Sequence, residues 1–274
     1  MMTLKQRNIN SFAITSKDSD LRASRTSLKL AKKLHDSGFD IKLVYPLQSK
    51  KFESISLDSK SLNVHCIISV GGDGTIIKTS RLLKKSIPIL GLHAGGKGIL
   101  TEIKPDNISN FIKHIRNNDF FFDRRKRISV STKSQHSIPS LNEVYIERSK
   151  KLRAINYQIK LDSSIFNYRM DGLLVSTPTG STGHSLSLGS SMLSEKLSAL
   201  LITPIAPISR LPPIAIPISD FSIIAYENAR VVVDGQVEFS IEPMEEIKIN
   251  TKVPDVVFLR FSNSTLRQLT SLGF

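Results

Sequence analysis

The chain has 274 residues, of which 40% are hydrophobic and 23% charged, with one cysteine and no tryptophan. No apolar run approaches the ~20 residues that span a bilayer, the start resembles no signal peptide, and a single cysteine excludes an intrachain disulfide. The net charge of +14 suits a polyanionic partner: nucleic acid, an acidic membrane surface or a phosphorylated small molecule. We expect a cytoplasmic protein.

Roughly the first 120 residues alternate short apolar runs with helical patterns, which predicts parallel βαβ units. Strands are predicted at 11–15, 41–45, 63–70 and 87–92, and helices at 18–38, 75–85 and 105–117. The apolar face of the first helix is predicted to hold Leu21, Leu28, Ala31 and Leu34. Asp18 or Ser19 is its expected N-cap, and Gly38 its expected end. Cys66 is expected to be a small buried hydrophobe.

From about residue 122 onwards short strands dominate, which predicts a mostly antiparallel, β-rich second domain. The strand candidates are 128–132, 140–148, 155–162, 165–178, 220–227, 230–241, 245–250 and 255–261. The best helix signal in this half is GHSLSLGSSML at 183–193. The proline-rich segment 203–217 is predicted to be an irregular connection. A crevice between two such domains is a natural place for a ligand.

The segment SVGGDGTIIK (69–78) places Asp73 between an apolar strand and a helix. A strand, a glycine turn and a helix together point backbone N–H groups at an anion. An aspartate there could accept a proton, bind a hydroxyl or contact a metal. A plain surface turn is the alternative, because Asp-Gly is a common turn pair. Lys78, one helical turn later, could screen a phosphate or simply be solvated.

A second glycine-rich segment, GLHAGGKG (91–98), nearly matches the Walker phosphate loop. Gly98 stands where that loop needs serine or threonine, and no G-x-G-x-x-G fingerprint occurs elsewhere. We therefore do not expect a P-loop NTPase or a Rossmann dehydrogenase. The loop could still bring backbone close to a ligand.

The most informative segment of the second half is TPTGSTGHS at 177–185. It offers hydroxyls, backbone N–H groups and a helix start to an oxygen-rich ligand, although a capping turn has the same composition. A hydrolase elbow around Ser185 is disfavoured, because Ser187 replaces its last glycine. Asn142-Glu143 suits ribose hydroxyls and a base edge, or marks an edge strand. VDGQVE (233–238) could be a hairpin turn only.

Taken together, these segments resemble the NAD kinases, which make NADP from NAD with ATP or polyphosphate. GGDGT at 71–75 also occurs in diacylglycerol, sphingosine and 6-phosphofructo kinases. Asn142-Glu143 combined with DGLLVSTPTGSTGHSLS at 171–187 is specific to NAD kinases. The resemblance covers about residues 60–245.

The resemblance implies an α/β N-terminal domain with a parallel, Rossmann-like sheet at 1–120, joined by the C-terminal tail at about 255–274. It also implies a β-rich NAD-binding domain at 121–254. The implied reaction is phosphoryl transfer to the 2′-hydroxyl of the adenosine ribose of NAD, with a divalent cation, Mg²⁺, bound through the nucleotide. A homodimer or homotetramer is implied, and we expect neither a nucleic-acid nor a membrane partner.

Carried over by position, Asp73 accepts the hydroxyl proton, Gly74 lets backbone approach NAD, and Lys78 is a basic residue of that site. Asn142 and Glu143 hold adenosine, and Asp171 contacts the nicotinamide side. The adenosine and ribose region is lined by Thr182, Gly183, His184, Ser185, Leu186 and Ser187. Weaker matches, by spacing, are Arg153, Arg169, Gln236 and Ala206.

The sequence departs from the family pattern at three positions within the motifs described above. His184 replaces a common tyrosine, which affects aromatic packing near nicotinamide. His93 and Ile99 replace asparagine and phenylalanine near the phosphoryl donor, so donor preference is the least transferable property. Two alternatives stay open: a lipid kinase of the same superfamily, and a non-catalytic basic protein that binds dinucleotides or nucleic acid.

Overall fold

A computed structural model describes residues 8–95, 98–150, 153–264 and 266–273. The elements of the first half are β1 (Ser11–Ser16), α1 (Leu21–Asp36), β2 (Asp40–Val44), β3 (Glu53–Ile55), β4 (Cys66–Gly71), α2 (Asp73–Leu82), β5 (Ile89–His93), α3 (Ile108–Arg116) and β6 (Phe121–Arg125). Those that follow are β7 (Ile128–Ser131), β8 (Ile138–Ser140), β9 (Glu143–Arg148), β10 (Ile155–Leu161), β11 (Ser164–Met170), β12 (Gly172–Ser176), α4 (His184–Ser187), β13 (Ala199–Ile205), β14 (Ile214–Pro217), β15 (Phe221–Ala225), β16 (Ala229–Val233), β17 (Val237–Ile241), β18 (Glu246–Asn250), β19 (Val256–Arg260) and α5 (Arg267–Leu272).

The chain divides into two compact units. The first unit runs to Arg124 and resumes at Val256, and the second unit is Arg125–Asp255. The first is built on a seven-stranded sheet in the order β3-β2-β1-β4-β5-β19-β6. Its pairs β2–β3, β1–β2, β1–β4, β4–β5 and β5–β19 are parallel. The fold class of this unit, α/β with a parallel sheet, is confirmed.

Every residue of β1 and β4 is buried, because helices cover a parallel sheet and leave its central strands no polar face. Cys66, the first residue of β4, is fully buried, as expected for a small hydrophobe. Burial also raises the pKa of its thiol far above the usual range. This cysteine is therefore a packing residue.

The first helix differs in detail from the prediction. Its N-cap is Asp20, whose carboxylate accepts the Ala23 N–H at 2.9 Å, and not Asp18 or Ser19. Its buried side chains are Ala23, Ser27, Leu30, Ala31 and Leu34, with Leu28 partly buried. Leu21 is 75% exposed. It precedes Ala23 by two residues, or about 200° around the helix, so it projects away from the sheet.

The second unit contains two six-stranded sheets, in the orders β11-β10-β15-β18-β7-β8 and β14-β13-β12-β9-β16-β17. All the registered pairs in them are antiparallel. Alternate residues such as Val144 and Ile146 of β9 or Ile247 and Ile249 of β18 enter one apolar cluster shared by both sheets. The predicted β-rich second part is confirmed.

Two predictions for this unit need correction. The irregular connection predicted at 203–217 is limited to 206–213, because β13 extends through Pro204 to Ile205 and β14 begins at Ile214. Pro204 pairs only with β12, beyond the end of the β13–β14 pairing, so it interrupts one ladder at most. The helix expected at 183–193 is the four-residue α4.

Candidate functional sites

The first candidate site lies in the first unit, where β4 gives way to α2. Gly72 is the N-cap of α2 and Asp73 its first residue. Gly71 cannot carry a side chain here, since an added Cβ would lie 2.4 Å from the Thr75 Oγ1. The predicted strand, glycine turn and helix are thus formed, at the edge where the parallel strands have their carboxyl ends.

The carboxylate of Asp73 is held by backbone from a distant loop. Its Oδ2 accepts the Ile99 N–H at 2.9 Å, and its Oδ1 accepts the Leu100 N–H at 3.0 Å. Gly98 packs against the same group, since an added Cβ would lie 2.9 Å from Oδ1. Each oxygen keeps a further lone pair for a ligand. Residues 96–97 of the predicted GLHAGGKG loop lie outside the described residues.

A cavity of about 810 Å³ opens at this edge of the sheet. Gly72, Gly74 and Lys78 of the motif line it, together with residues after β1 that the sequence did not predict to be part of a site: Lys17, Asp18, Asp20 and Arg22. Lys78 forms an ion pair with Asp18 across the cavity, and the Lys17 Nζ lies 3.7 Å from an Asp20 oxygen. Lysine and arginine beside glycine backbone suit phosphate groups.

The second candidate site lies in the second unit, around the start of β9. Asn142 immediately precedes this strand and Glu143 is its first residue. The Asn142 carbonyl accepts the Thr177 N–H at 2.8 Å. Gly180 packs so closely there that an added Cβ would lie 2.2 Å from the Asn142 carbonyl oxygen. Gly183 faces the two side chains, with a Cβ position 3.7 Å from Glu143 Oε2 and 3.9 Å from Asn142 Nδ2.

Asp234 shapes this site from the β16–β17 turn, and VDGQVE is therefore more than a hairpin turn. Its Oδ1 accepts the Ser140 hydroxyl at 2.7 Å and the amides of Asn142 and Glu143 at 2.8 and 3.2 Å, while its Oδ2 accepts the Leu141 N–H at 3.1 Å. Sequence reasoning missed this residue, although Gln236, in the same turn, was predicted.

The electrostatics of Glu143 are unusual. Burial, followed by repulsion from Asp234, raises the pKa of Glu143 to about 8. Its Oε2 and the Asn142 Oδ1 are buried and have no hydrogen-bond partner within the described residues. Buried polar atoms are almost always paired. Two such atoms side by side indicate groups kept for a ligand.

The hydroxyl-rich loop 177–187 lies beside this pair. Ser185 is buried and its hydroxyl lies 3.2 Å from that of Thr203. It therefore lies against a strand instead of standing exposed on an elbow, which argues further against a hydrolase. His184 is exposed and packs edge-to-face on Tyr145, with ring centroids 5.6 Å apart. Thr182, Leu186 and Ser187 complete the loop; Thr182 donates to the Thr179 carbonyl at 3.4 Å.

A further group of predicted residues surrounds the end of β11. The Arg169 carbonyl accepts the Ile208 N–H, and the Asp171 N–H donates to Ile205, so the segment carrying Ala206 runs alongside. Arg169 Nε donates to Ala154, next to the exposed Arg153, at 3.2 Å. The Asp171 carboxylate pairs with Arg148 at 2.7 Å. The contacts in this group connect its members to one another and to nearby backbone, and none of those named here reaches Asn142 or Glu143.

The described residues include no cluster of three or more metal-ligating side chains. Likewise, none of the helices in the described ranges is long and apolar enough to cross a membrane.

Comparison with known proteins identifies both parts of the chain. The ATP-NAD kinase N-terminal domain model matches residues 12–120, and the ATP-NAD kinase C-terminal domain model matches residues 141–261. The NAD kinase of Thermococcus gammatolerans is 31% identical, over 88% of this chain and 92% of its own. The NAD kinase of Pyrococcus furiosus is 29% identical, over 91% and 95%.

Solved structures agree. An NAD kinase from Archaeoglobus fulgidus in complex with ATP aligns with a TM-score of 0.75 and 27% identity, over 96% of this chain and all of that one. Yeast NADH kinase complexed with NADH aligns with a TM-score of 0.86 over 97% of this chain and 87% of that one, and at 19% identity it supports the fold. Both domain models and the full-length relatives place this chain in the ATP-NAD kinase family.

Proposed function

We propose that this enzyme transfers the terminal phosphoryl group of ATP to the 2′-hydroxyl of the adenosine ribose of NAD, with Asp73 as proton acceptor. The observation that carries the role of Asp73 is its carboxylate, which is held by two backbone amides, while Gly72 and Gly74 on either side of it line the cavity of the first unit. The lipid-kinase alternative is not favoured, because the match to NAD kinases extends through the C-terminal domain.

The cavity of the first unit is the proposed ATP site. Its volume falls within the range of about 300–1,000 Å³ usual for small-molecule sites. Lys17, Arg22 and Lys78 supply positive charge, and Gly72 and Gly74 let backbone N–H groups approach phosphate oxygens. The A. fulgidus relative was solved in complex with ATP, which supports ATP as a ligand of this chain.

The site at the start of β9 is the proposed adenosine site of NAD. The unpartnered oxygens of Asn142 and Glu143 would meet the base edge and the ribose hydroxyls. A protonated Glu143 can donate one hydrogen bond as well as accept others. The remaining proposed NAD contacts are Gly74, Lys78, Arg153, Arg169, Asp171, Thr182, Gly183, His184, Ser185, Leu186, Ser187, Ala206 and Gln236.

A divalent cation, Mg²⁺, is proposed to enter with the nucleotide. Mg²⁺ is commonly bound through substrate phosphates and one or two carboxylates. Asp20 lines the cavity and would supply such an oxygen, and the charge of the cation would offset that of the phosphates. Use of polyphosphate, a cytoplasmic location and assembly as a homodimer or homotetramer remain proposals from the family resemblance.

The chemistry requires little of the protein beyond placement and charge. The ribose 2′-oxygen forms a bond to the γ-phosphorus while the bond to the β,γ-bridging oxygen breaks, and ADP leaves. The transition state is loose, so the hydroxyl proton moves late, to Asp73. Orientation of the carboxylate therefore matters more than strong basicity, in keeping with its two amide contacts.

The test is formation of NADP from NAD, Mg²⁺ and ATP by the wild type, by Asp73→Asn and by Asp36→Asn. Asp36 provides the matched control, because its carboxylate is exposed and belongs to the same unit. We expect NADP from the wild type and the control, and a fall in kcat of at least about a hundredfold for Asp73→Asn. Full activity of Asp73→Asn would refute the role of Asp73. Absence of NADP from NAD with either ATP or polyphosphate, together with absence of NADPH from NADH, would refute the reaction.

A further inference from the structure

We propose that Arg260, on the C-terminal strand β19, is a positioning residue for phosphoryl transfer: it holds the loop whose amides hold Asp73. This inference rests on the proposed role of Asp73. Arg260 lies 187 positions beyond Asp73 in the chain and belongs to no motif that the sequence singled out. The connection between them runs through a single loop residue, Leu100.

Leu100 is bonded on both sides of its backbone. Its N–H donates to Asp73 Oδ1 at 3.0 Å, and its carbonyl accepts the Arg260 Nη1 at 2.7 Å. The amide and the carbonyl of Leu100 lie on either side of its Cα, two short bonds apart, so a fixed carbonyl limits how far the Cα and the amide can move. Arg260 thereby limits displacement of the residue that gives Asp73 one of its two hydrogen bonds.

Arg260 is itself held firmly. Its side chain is only 1% exposed, and its guanidinium lies 3.3 Å from a Glu102 oxygen and 3.6 Å from an Asp123 oxygen. The same group stacks over the Phe258 ring at 4.6 Å. A planar guanidinium can contact several partners in fixed directions, which a lysine ammonium cannot reproduce. The site therefore requires arginine and not positive charge alone.

The loop has a second anchor, and this anchor lies further along the chain. The amides of Glu102 and Ile103 both donate to the Gly91 carbonyl, at 2.8 and 3.2 Å. Those bonds attach the loop to β5 only at residues that follow Leu100 in the chain. The Arg260 contact acts at Leu100 itself, next to the two amides that face the carboxylate.

The neighbouring Arg267 supplies a matched control. Like Arg260 it pairs with Glu102, here at 2.7 Å, but within the described residues its other hydrogen bonds go to the carbonyl and hydroxyl of Ser262. Arg267→Gln thus removes a positive charge from the same carboxylate and leaves the Leu100 carbonyl contact in place. If only the charge of this cluster mattered, Arg267→Gln, which loses a charge, would be more damaging than Arg260→Lys, which keeps it.

The experiment compares Arg260→Lys, Arg267→Gln and Asp73→Asn, and the double variant Arg260→Lys/Asp73→Asn. We expect kcat of Arg260→Lys to fall about tenfold to a hundredfold, the usual cost of a small misplacement, with KM for NAD and ATP within about twofold. Arg267→Gln should keep kcat within about twofold. In the Asp73→Asn background, Arg260→Lys should cause no further loss, because it acts through the missing carboxylate.

Hydrogen exchange supplies a readout that does not depend on turnover. Arg260→Lys should speed exchange at the amides of Ile99 and Leu100, whereas Arg267→Gln should not. An unchanged kcat for Arg260→Lys, or an equal loss with and without Asp73, would overturn the proposal. Wild-type activity of Asp73→Asn would instead refute the role of Asp73. The proposed positioning role of Arg260 would then be refuted as well, even if hydrogen exchange at the loop increased.

Discussion

The raised pKa of Glu143 predicts an unusual dependence of stability on pH. An ordinary glutamate has a pKa of 4.5, and burial together with Asp234 raises that of Glu143 to about 8. Below pH 4.5 the carboxyl is protonated in the folded and the unfolded chain, and pH has no effect through this group. Between the two pKa values only the unfolded chain releases the proton, so the folded state loses stability as pH rises.

The magnitude follows from linkage. Each pH unit in this window lowers the free energy of unfolding by about 1.4 kcal/mol, and the full window by roughly 4 to 5 kcal/mol. Above pH 8 both states are ionised and the effect stops growing. Glu143→Gln keeps the shape of the side chain but cannot ionise. Its stability relative to the wild type should therefore increase steadily from pH 5 to pH 8.

The assay is urea unfolding followed by circular dichroism at pH 5, 6, 7 and 8 for the wild type and Glu143→Gln. Glu246→Gln makes the same chemical change in the same unit, at a side chain that is 42% exposed, and controls for the loss of a carboxylate as such. Parallel curves for the wild type and Glu143→Gln would refute the reasoning, because they would show that Glu143 has the same protonation state folded and unfolded. If the stability advantage of Glu143→Gln over the wild type became smaller as pH rises, folding would lower the pKa of Glu143 instead of raising it.

Three further substitutions test the sites. Gly180→Ala places a Cβ 2.2 Å from the Asn142 carbonyl oxygen, so we expect a loss of about 1–3 kcal/mol in urea unfolding and a higher KM for NAD. Asp234→Asn replaces an acceptor that receives four hydrogen bonds, so unfolding free energy should fall by about 2 kcal/mol and KM for NAD should rise. Asp18→Asn frees Lys78 for a phosphate, so KM for ATP should fall about two- to fivefold, since exposed ion pairs contribute about 0.2–1 kcal/mol; an unchanged KM would place ATP elsewhere.

Periodicity was a good guide to the fold, because each sheet imposes its own pattern. Continuous burial of β1 and β4 marks a covered parallel sheet, and alternation in β9 and β18 marks sheets with one inner face. The pairing of strands that are distant in sequence was harder to predict. Val256–Arg260 has the composition of any other late strand, yet it pairs parallel with β5 of the first unit. Pro204 is tolerated in β13 because only one neighbouring strand, β12, pairs with it. The residues around Pro204 do not reveal how many strands pair there.

The candidate sites show the same contrast between local patterns, which the sequence reveals, and contacts between distant segments, which it does not. Asp73, Asn142 and Glu143 were predicted because their neighbours form short motifs. The groups that control them lie far off in sequence: the Leu100 amide is 27 residues from Asp73, and Asp234 is 91 residues from Glu143. No local pattern distinguishes Arg260 from the other basic residues of a chain with a net charge of +14. Contacts of this kind depend on the folded topology.

The two central carboxyl groups occupy opposite environments, and this contrast assigns their roles. Both oxygens of Asp73 accept amide hydrogen bonds, which hold its carboxyl group in a fixed direction. Glu143 is buried beside Asp234, and its Oε2 has no partner in the described part of the chain, which favours the neutral acid. A fixed carboxylate suits proton acceptance, whereas a neutral carboxyl suits recognition of a ligand by donation and acceptance together. Consequently Asp73→Asn should lower kcat at least about a hundredfold and retain NAD binding. Glu143→Gln, which keeps one donor and one acceptor, should retain most of both, and a Glu143→Gln enzyme as inactive as Asp73→Asn would show that the roles are assigned wrongly.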